Sequence, residues 1–145
     1  MTKQEIFEQI RKAKMGHKRW VSYAKAIHMG IPVDKNAVPM LETECGFGKW
    51  YYNEGQAFSG LSSYQAIEQP HAMLHNQYMR LFKARRKPRK TGLFVSKKMA
   101  IKEKNEGLDK MMDQLLQVSE LLMQGLKDLE DDIKSMNDSE ISKLN

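Results

Sequence analysis

Apolar and small side chains recur every three or four residues along most of this chain, a spacing that places them on one face of an α-helix. The N-terminal stretch has seven such positions, which form the seam of this helix: Ile6, Ile10, Ala13, His17, Trp20, Ala24 and Ile27. A stretch from Ser59 continues the pattern with Leu61, Tyr64, Ile67, His71, Leu74, His75, Tyr78 and Phe82. Such faces must pack against one another, so we predict an all-α antiparallel bundle of four long or broken helices plus a short helix that carries Cys45.

The C-terminal segment repeats the helical pattern between residue 105 and about residue 136. Its apolar positions are Leu108, Met112, Leu115, Leu122, Leu126, Leu129, Ile133 and Met136, with Ser119 as a small polar interruption. The pattern predicts either another bundle helix or the seam of a homodimer. Residues 137–145 are polar, and we expect this tail to fray.

Glycine and proline mark the breaks between these helices. Gly30 and the segment after it end the first helix, and residues 31–42 hold two prolines and are predicted to form a loop. A short helix then begins with Thr43 as its N-cap and ends before Gly55. Pro70 either kinks the next helix or begins a new one, and both alternatives keep His71 and His75 together.

The short helix contains features that need a tertiary explanation. Phe47, Trp50 and Tyr51 share one face and are predicted to lie in the core. Gly46 and Gly48 are unfavourable inside a helix, at about 1 kcal/mol each relative to alanine. We expect a close approach of another backbone segment to explain them.

Length and composition predict a single cytoplasmic domain. The chain has 145 residues, of which 29% are charged, and its mean hydropathy is −0.64. No apolar run approaches the roughly 20 residues that span a bilayer, and the first residues lack the apolar centre of a secretory signal. We expect one domain over residues 1–136, with a core motif at 10–82, a connector at 83–104 and a C-terminal helix at 105–136.

The net charge of +6 is concentrated in that connector. Residues 83–104 carry 10 basic and 1 acidic side chains, whereas residues 105–145 carry 4 basic and 10 acidic ones. The run that includes Lys83, Arg85, Arg86, Lys87, Arg89 and Lys90 could hold phosphates, but no aromatic side chains alternate with it. Contact with the acidic C-terminal helix, or solvation, is the favoured interpretation over nucleic-acid binding.

Four residues of the types that bind zinc are placed where a bundle can bring them together. His71 and His75 lie four apart, so their rings point off one helix face. Cys45 has no other cysteine to pair with, and a place near a helix N-terminus favours its thiolate. His17 occupies a seam position, where taken alone a hydrogen-bonded core histidine is more common than a metal ligand.

The spacing alone also allows other interpretations of the histidines. His71 and His75 could be two unrelated buried or surface histidines. His28 returns to nearly the face of His17 but about 16 Å further along the axis, so we expect it to interact with free carbonyls at the helix end instead. No glutamate stands between His71 and His75, and paired carboxylates are missing, so we expect no enzyme; a small metalloenzyme and a structural helical adaptor remain the alternatives.

Several of these residues together resemble a known family, the chemoreceptor zinc-binding (CZB) domain. The resemblance is carried by His17 with Trp20 three residues later, by the run Cys45-Gly46-Phe47-Gly48-Lys49-Trp50-Tyr51, by Gly55, and by His71-Ala72-Met73-Leu74-His75. It covers about residues 10 to 82.

The resemblance implies a helical bundle, commonly homodimeric, that holds one Zn²⁺ through His17, Cys45, His71 and His75. Members of the family usually accompany chemotaxis receptors or diguanylate cyclases, and they sense zinc or oxidants such as hypochlorous acid through the zinc-bound cysteine. The resemblance therefore implies a zinc-dependent signalling module that acts through partner proteins.

Overall fold

The structure, a computed structural model of the chain, describes residues 1–88 and 92–144. The described residues form five α-helices: α1 at Lys3–His28, α2 at Gly46–Tyr51, α3 at Ser62–Arg86, α4 at Lys97–Ser135 and α5 at Asp138–Leu144. A 3-10 helix, Glu54–Phe58, joins α2 to α3, and strands are absent from the described ranges. The predicted all-α bundle is confirmed.

Helix α1 begins and ends at the signals that its sequence carries. The Thr2 hydroxyl accepts from the Glu5 N–H while the Glu5 carboxylate accepts from the Thr2 N–H, which is a capping box. Gly30 follows the helix at a φ of +83°, a left-handed conformation that favours glycine. All seven predicted seam positions of α1 are buried.

Helix α4 runs antiparallel to both α1 and α3. Lys3 at the start of α1 donates to the carbonyls of Lys134 and Met136 at the end of α4, while His28 at the end of α1 pairs with Asp109. Similarly, Ser63 near the start of α3 bonds Asp132, and Lys104 donates to the carbonyls of Arg85 and Lys87. Since α4 packs its apolar seam on α1 and α3, a homodimer would have to use another surface.

Helix α3 continues through Pro70 without ending, so α3 is one long helix. Pro70 has no N–H to donate, which leaves the carbonyl of residue 66 without its usual helical partner. The residues of its predicted seam are buried except for Leu61, which is the partly exposed N-cap.

The predicted connector at 83–104 is wrong in extent. Helix α3 extends to Arg86, and α4 begins at Lys97, where the Ser96 side chain caps it by accepting from the Met99 N–H. Residues 97–104 are therefore the first turns of α4. Arg89 and Lys90 of the basic run lie outside the described residues.

The predicted frayed tail also differs from the structure, because residues 138–144 form α5. Ile141 is buried in the core, and Asn137 caps the helix by accepting from the Glu140 N–H. Burial of Ile141, together with the partly buried Leu144, holds this short helix on the bundle. Within the described residues, no helix is both long enough and apolar enough to cross a membrane.

Candidate metal centre

His17, Cys45, His71 and His75 lie together at the junction of α1, the N-terminus of α2 and the middle of α3. Their ligand atoms all lie within 4.8 Å of one another, and all four residues are buried. Residues distant in sequence are thus brought to one point by the packing of three elements. Such a group of nitrogen and sulfur atoms could hold a metal ion.

The orientation of His17 is set by its own helix. Its Nδ1 lies 2.7 Å from the carbonyl oxygen of Ala13, four residues earlier. A carbonyl can only accept, so Nδ1 carries the proton and Nε2 keeps its lone pair. Such a bond on the far nitrogen is the usual way in which a protein orients a metal-binding histidine.

His75 is held in the same way by the loop between α1 and α2. Its Nδ1 donates to the carbonyl oxygen of Met40 at 3.2 Å. Its Nε2 is buried and has no hydrogen-bond partner among the described residues. An unpartnered buried nitrogen is costly, and a bound cation would satisfy it.

His71 lies between the other histidines and the cysteine. Its Nε2 is 3.3 Å from the Cys45 Sγ, and its buried Nδ1 lacks a hydrogen-bond partner in the part of the chain that the structure describes. The rings of His17 and His75 meet it edge to face, at centroid distances of 5.0 and 4.8 Å. Together the three imidazoles form a nitrogen-rich pocket in which His71 Nδ1 and His75 Nε2 have no partner among the described protein groups.

Cys45 is itself the N-cap of α2, so the predicted N-cap at Thr43 is wrong by two residues. The Cys45 Sγ accepts from the Gly48 N–H at 3.2 Å and lies 3.4 Å from the carbonyl oxygen of Glu42. A sulfur in this position takes the place of the serine or aspartate oxygen that usually caps a helix. The short helix therefore orients its thiol toward α3.

The protonation states of the metal-free site follow from burial. Burial lowers the pKa of His17 to about 4 and that of His71 to about 2, and it also lowers the pKa of His75. Near neutral pH all three rings are neutral and have lone pairs available. Burial raises the pKa of the Cys45 thiol despite the Gly48 N–H, so the expected preference for a thiolate is wrong without a cation. A bound cation would reverse that shift.

The donor set fits zinc. A tetrahedral zinc ion with bonds of about 2.0 to 2.3 Å needs its ligand atoms about 3.3 to 3.8 Å apart. The Cys45 Sγ and His71 Nε2 already have that separation, and the whole set spans no more than 4.8 Å. Three histidines and one cysteine complete a tetrahedron, which leaves no position for a reacting water. Zinc bound there would make Cys45 a thiolate and tie three elements together.

Aromatic rings close the sides of the site. The Trp20 ring lies 4.1 Å from the His75 ring between centroids, and the Phe47 ring lies 5.1 Å from the His71 ring. Both side chains are buried, at 4% and 6% exposure. These walls keep bulk water from the histidines and place an indole close enough to report changes at His75.

A surface cavity of about 300 Å³ leads to two of the four residues, His17 and Cys45. Its lining also includes Gln9, Lys12, Gly16, Arg19 and residues 37–39. The site is thus buried but not sealed, and the charged side chains that line the cavity are basic.

His28 lies apart from this group, as expected, but the contact that it makes was not foreseen. Its Nε2 is 2.6 Å from a carboxylate oxygen of Asp109 on α4, so it joins helices rather than capping free carbonyls. The sequence also gave no sign of the supporting carbonyls of Met40 and Glu42. Only that of Ala13 could have been found, because it lies one helical turn before His17, toward which a helical side chain leans.

Comparison with known proteins supports the family resemblance. Residues 17–82 match the family model of the chemoreceptor zinc-binding domain. The matched range contains all four clustered residues, and the resemblance seen in the sequence is confirmed. No curated protein and no solved structure matches the chain.

Proposed function

We propose that this chain is a cytoplasmic sensory or regulatory protein of the chemoreceptor zinc-binding type, whose family model matches residues 17–82, and that its four clustered residues hold one zinc ion. The observation that carries the proposal is the convergence of four buried ligand atoms within 4.8 Å, two histidines having their far nitrogens fixed by carbonyls. The signal is either zinc availability or an oxidant that attacks the cysteine. The output passes to partner proteins of chemotaxis or cyclic-di-GMP signalling, and the protein acts as a homodimer.

The four clustered residues would have different roles in a zinc-dependent switch. His17, His71 and His75 are neutral at pH 7 and supply nitrogen lone pairs, while Cys45 supplies the sulfur. Bound zinc supplies positive charge that stabilises the thiolate and crosslinks α1, α2 and α3. Loss of the Cys45 ligand would release α2, which is only six residues long and depends on its packing.

An oxidant signal would act on the same sulfur. The Cys45 thiolate and hypochlorous acid would give a sulfenic acid and chloride, with two electrons leaving the sulfur and the oxygen becoming bonded to it. A neutral sulfenic acid is a poor zinc ligand, so the ion would be released. The cavity that reaches Cys45 between Lys12 and Arg19 offers such a small reagent a path.

Zinc content of purified variants tests the ligand assignment. We expect one zinc per wild-type chain by mass spectrometry of the metal, and a large loss in Cys45→Ala, His71→Ala and His75→Ala. His28→Ala is the matched control, because it removes a histidine outside the cluster and should keep full zinc. Full zinc in the Cys45 and His71 variants would overturn the assignment.

Adding hypochlorite separates the two signals. Release of zinc to a chromophoric chelator, together with lost helicity, would support oxidant sensing. Retention of zinc under the same treatment would leave zinc sensing or a purely structural ion. Sedimentation of the zinc-loaded protein tests the homodimer.

A further inference from the structure

We propose that a groove beside the C-terminal half of α3 binds an acidic segment of a partner protein that also carries bulky apolar side chains. The groove is lined by Lys35, Met40, Leu41, Met79, Phe82, Lys83, Arg86 and Lys87, and we call it the α3 groove. This inference rests on the function proposed above, since it supplies the surface through which the metal centre would reach a partner.

The floor of the α3 groove is apolar. The cavity measures about 600 Å³, and its apolar lining comes from two methionines, Leu41 and Phe82. Leu41 is 48% exposed, although contact of a leucine side chain with water is unfavourable. Methionine side chains adapt their shape to what they bind and are common on peptide-binding surfaces. The floor is therefore suited to apolar side chains from outside the chain.

A second pocket adjoins the first across a shared wall. It measures about 290 Å³ and is lined by Ile27, Gly30, Ile31, Pro32, Val33, Phe82, Arg85 and Arg86. Phe82 and Arg86 line both pockets, and the Arg86 guanidinium lies 4.5 Å from the centre of the Phe82 ring. Two adjoining pockets that share a wall, the first mainly apolar and the second of mixed polarity, fit an extended segment with two side-chain anchors better than a single compact molecule.

The rim carries charge of one sign. Lys35, Lys83, Arg85, Arg86 and Lys87 line the two pockets, and no carboxylate lines either of them within residues 1–88 and 92–144. None of these five side chains forms an ion pair with an acidic residue of the described chain. Charge complementarity therefore requires an acidic occupant. A nucleic acid would use the cations but leave the apolar floor of the α3 groove without a partner.

Fluorescence anisotropy with a defined peptide tests the proposal on the zinc-loaded full chain. The probe is a fluorescein-labelled peptide, Glu-Asp-Phe-Glu-Glu-Leu-Asp-Glu. We expect it to bind, and we expect two altered peptides not to bind: one with glycine for Phe and Leu, and one with lysine for every acid. Salt should weaken binding strongly between about 0.05 M and about 0.5 M, because exposed charges are screened.

Two double variants with the same change of net charge locate the site. Lys83→Glu/Arg86→Glu reverses two rim charges and should weaken the peptide by about tenfold or more. Lys18→Glu/Lys110→Glu reverses two exposed lysines away from both pockets and should change affinity by less than about twofold. Circular dichroism checks that both variants keep their helices, and the salt titration tests the wild type without any substitution.

Three results would overturn the groove proposal: no binding of the acidic peptide, equal weakening by the two double variants, or tighter binding of a labelled oligothymidylate than of the peptide. Zinc content is measured on the same samples. A zinc-loaded protein that does not bind the peptide would refute the groove proposal without affecting the metal-site proposal. A protein that never holds zinc refutes the metal proposal, whatever the peptide does.

Discussion

A Cβ atom on Gly48 would stand 1.7 Å from the carbonyl oxygen of Glu42, so the backbone of α2 touches the preceding loop at this point. The Gly48 N–H donates to the Cys45 Sγ, and the Glu42 carbonyl lies within reach of the same sulfur. The two groups that meet at Gly48 are therefore the two that position the thiol. This contact explains why a glycine stands inside so short a helix.

Gly48→Ala should displace the cysteine and destabilise the protein. The added carbon cannot be accommodated beside a backbone carbonyl, so we expect a cost of about 3 kcal/mol or more in urea unfolding and a clear loss of bound zinc. Gly46→Ala is the matched control, because a Cβ there meets nothing within 4 Å. It should keep its zinc and gain up to about 1 kcal/mol from helix propensity. Equal zinc in the two variants would contradict this account.

Tyr51 and Tyr64 fasten α2 to α3 by a reciprocal contact. The Tyr51 hydroxyl donates to the carbonyl of Tyr64 at 2.9 Å, the Tyr64 hydroxyl donates to the carbonyl of Tyr51, and the rings stack at 4.2 Å. Tyr51→Phe removes one buried hydrogen bond and should cost about 1 kcal/mol in urea unfolding. Tyr52→Phe should change stability by less than about 0.5 kcal/mol, since its hydroxyl makes no hydrogen bond to the residues that the structure describes. Similar losses in the two variants would argue against the contact.

The helices that form the bundle could be predicted because their signal is local. Each of the seven α1 seam positions is buried, including His17, and the α3 pattern places His71 and His75 on the buried face. The three clustered histidines could be found for the same reason, since their type and their helix faces are both visible in the sequence, whereas Cys45 was found because the chain has no other cysteine. The family resemblance then joined them into one site.

The rest of the site and two boundaries depend on tertiary contacts that leave little trace in the sequence. The carbonyls of Met40 and Glu42 support the site through the backbone, which any residue type could supply. The first turns of α4 are rich in lysine with only Ala100 buried, so their apolar period is weak; the Ser96 cap was the available signal. Ile141 and Leu144 are the two apolar residues in a polar segment, and only the core beneath them explains their helix.

The metal-free protein should lose stability as the pH falls below about 6.5, the ordinary pKa of histidine. Burial lowers the pKa of His17 to about 4 and of His71 to about 2, so the unfolded chain binds protons in this range that the folded chain does not. Stability therefore rises with pH, by roughly 1 kcal/mol per pH unit for each such histidine. Urea unfolding with a chelator at pH 7, 6 and 5 measures it.

A matched variant assigns that pH dependence to the site. His71→Leu replaces one buried imidazole by an apolar side chain of similar size. The unfolding free energy of the variant should therefore vary less steeply between pH 7 and pH 5, because one fewer proton is bound on unfolding. An unchanged slope in the variant, or a flat profile in the wild type, would show that the buried histidines do not govern acid sensitivity.

Removing zinc should weaken peptide binding in the α3 groove, because one loop serves both sites. Met40 lines the groove and accepts the hydrogen bond of His75, while Cys45 holds the other end of the loop. Without a cation the Cys45 end of the loop is held less firmly, so peptide binding must order the loop again. This cost should reduce the affinity for the peptide by about threefold to tenfold. The acidic peptide is titrated before and after chelation.

The control is Cys45→Ala, which should already bind the peptide as weakly as the zinc-free wild type and should not respond to the chelator. Equal affinities in all of these samples would mean that the metal does not affect the groove.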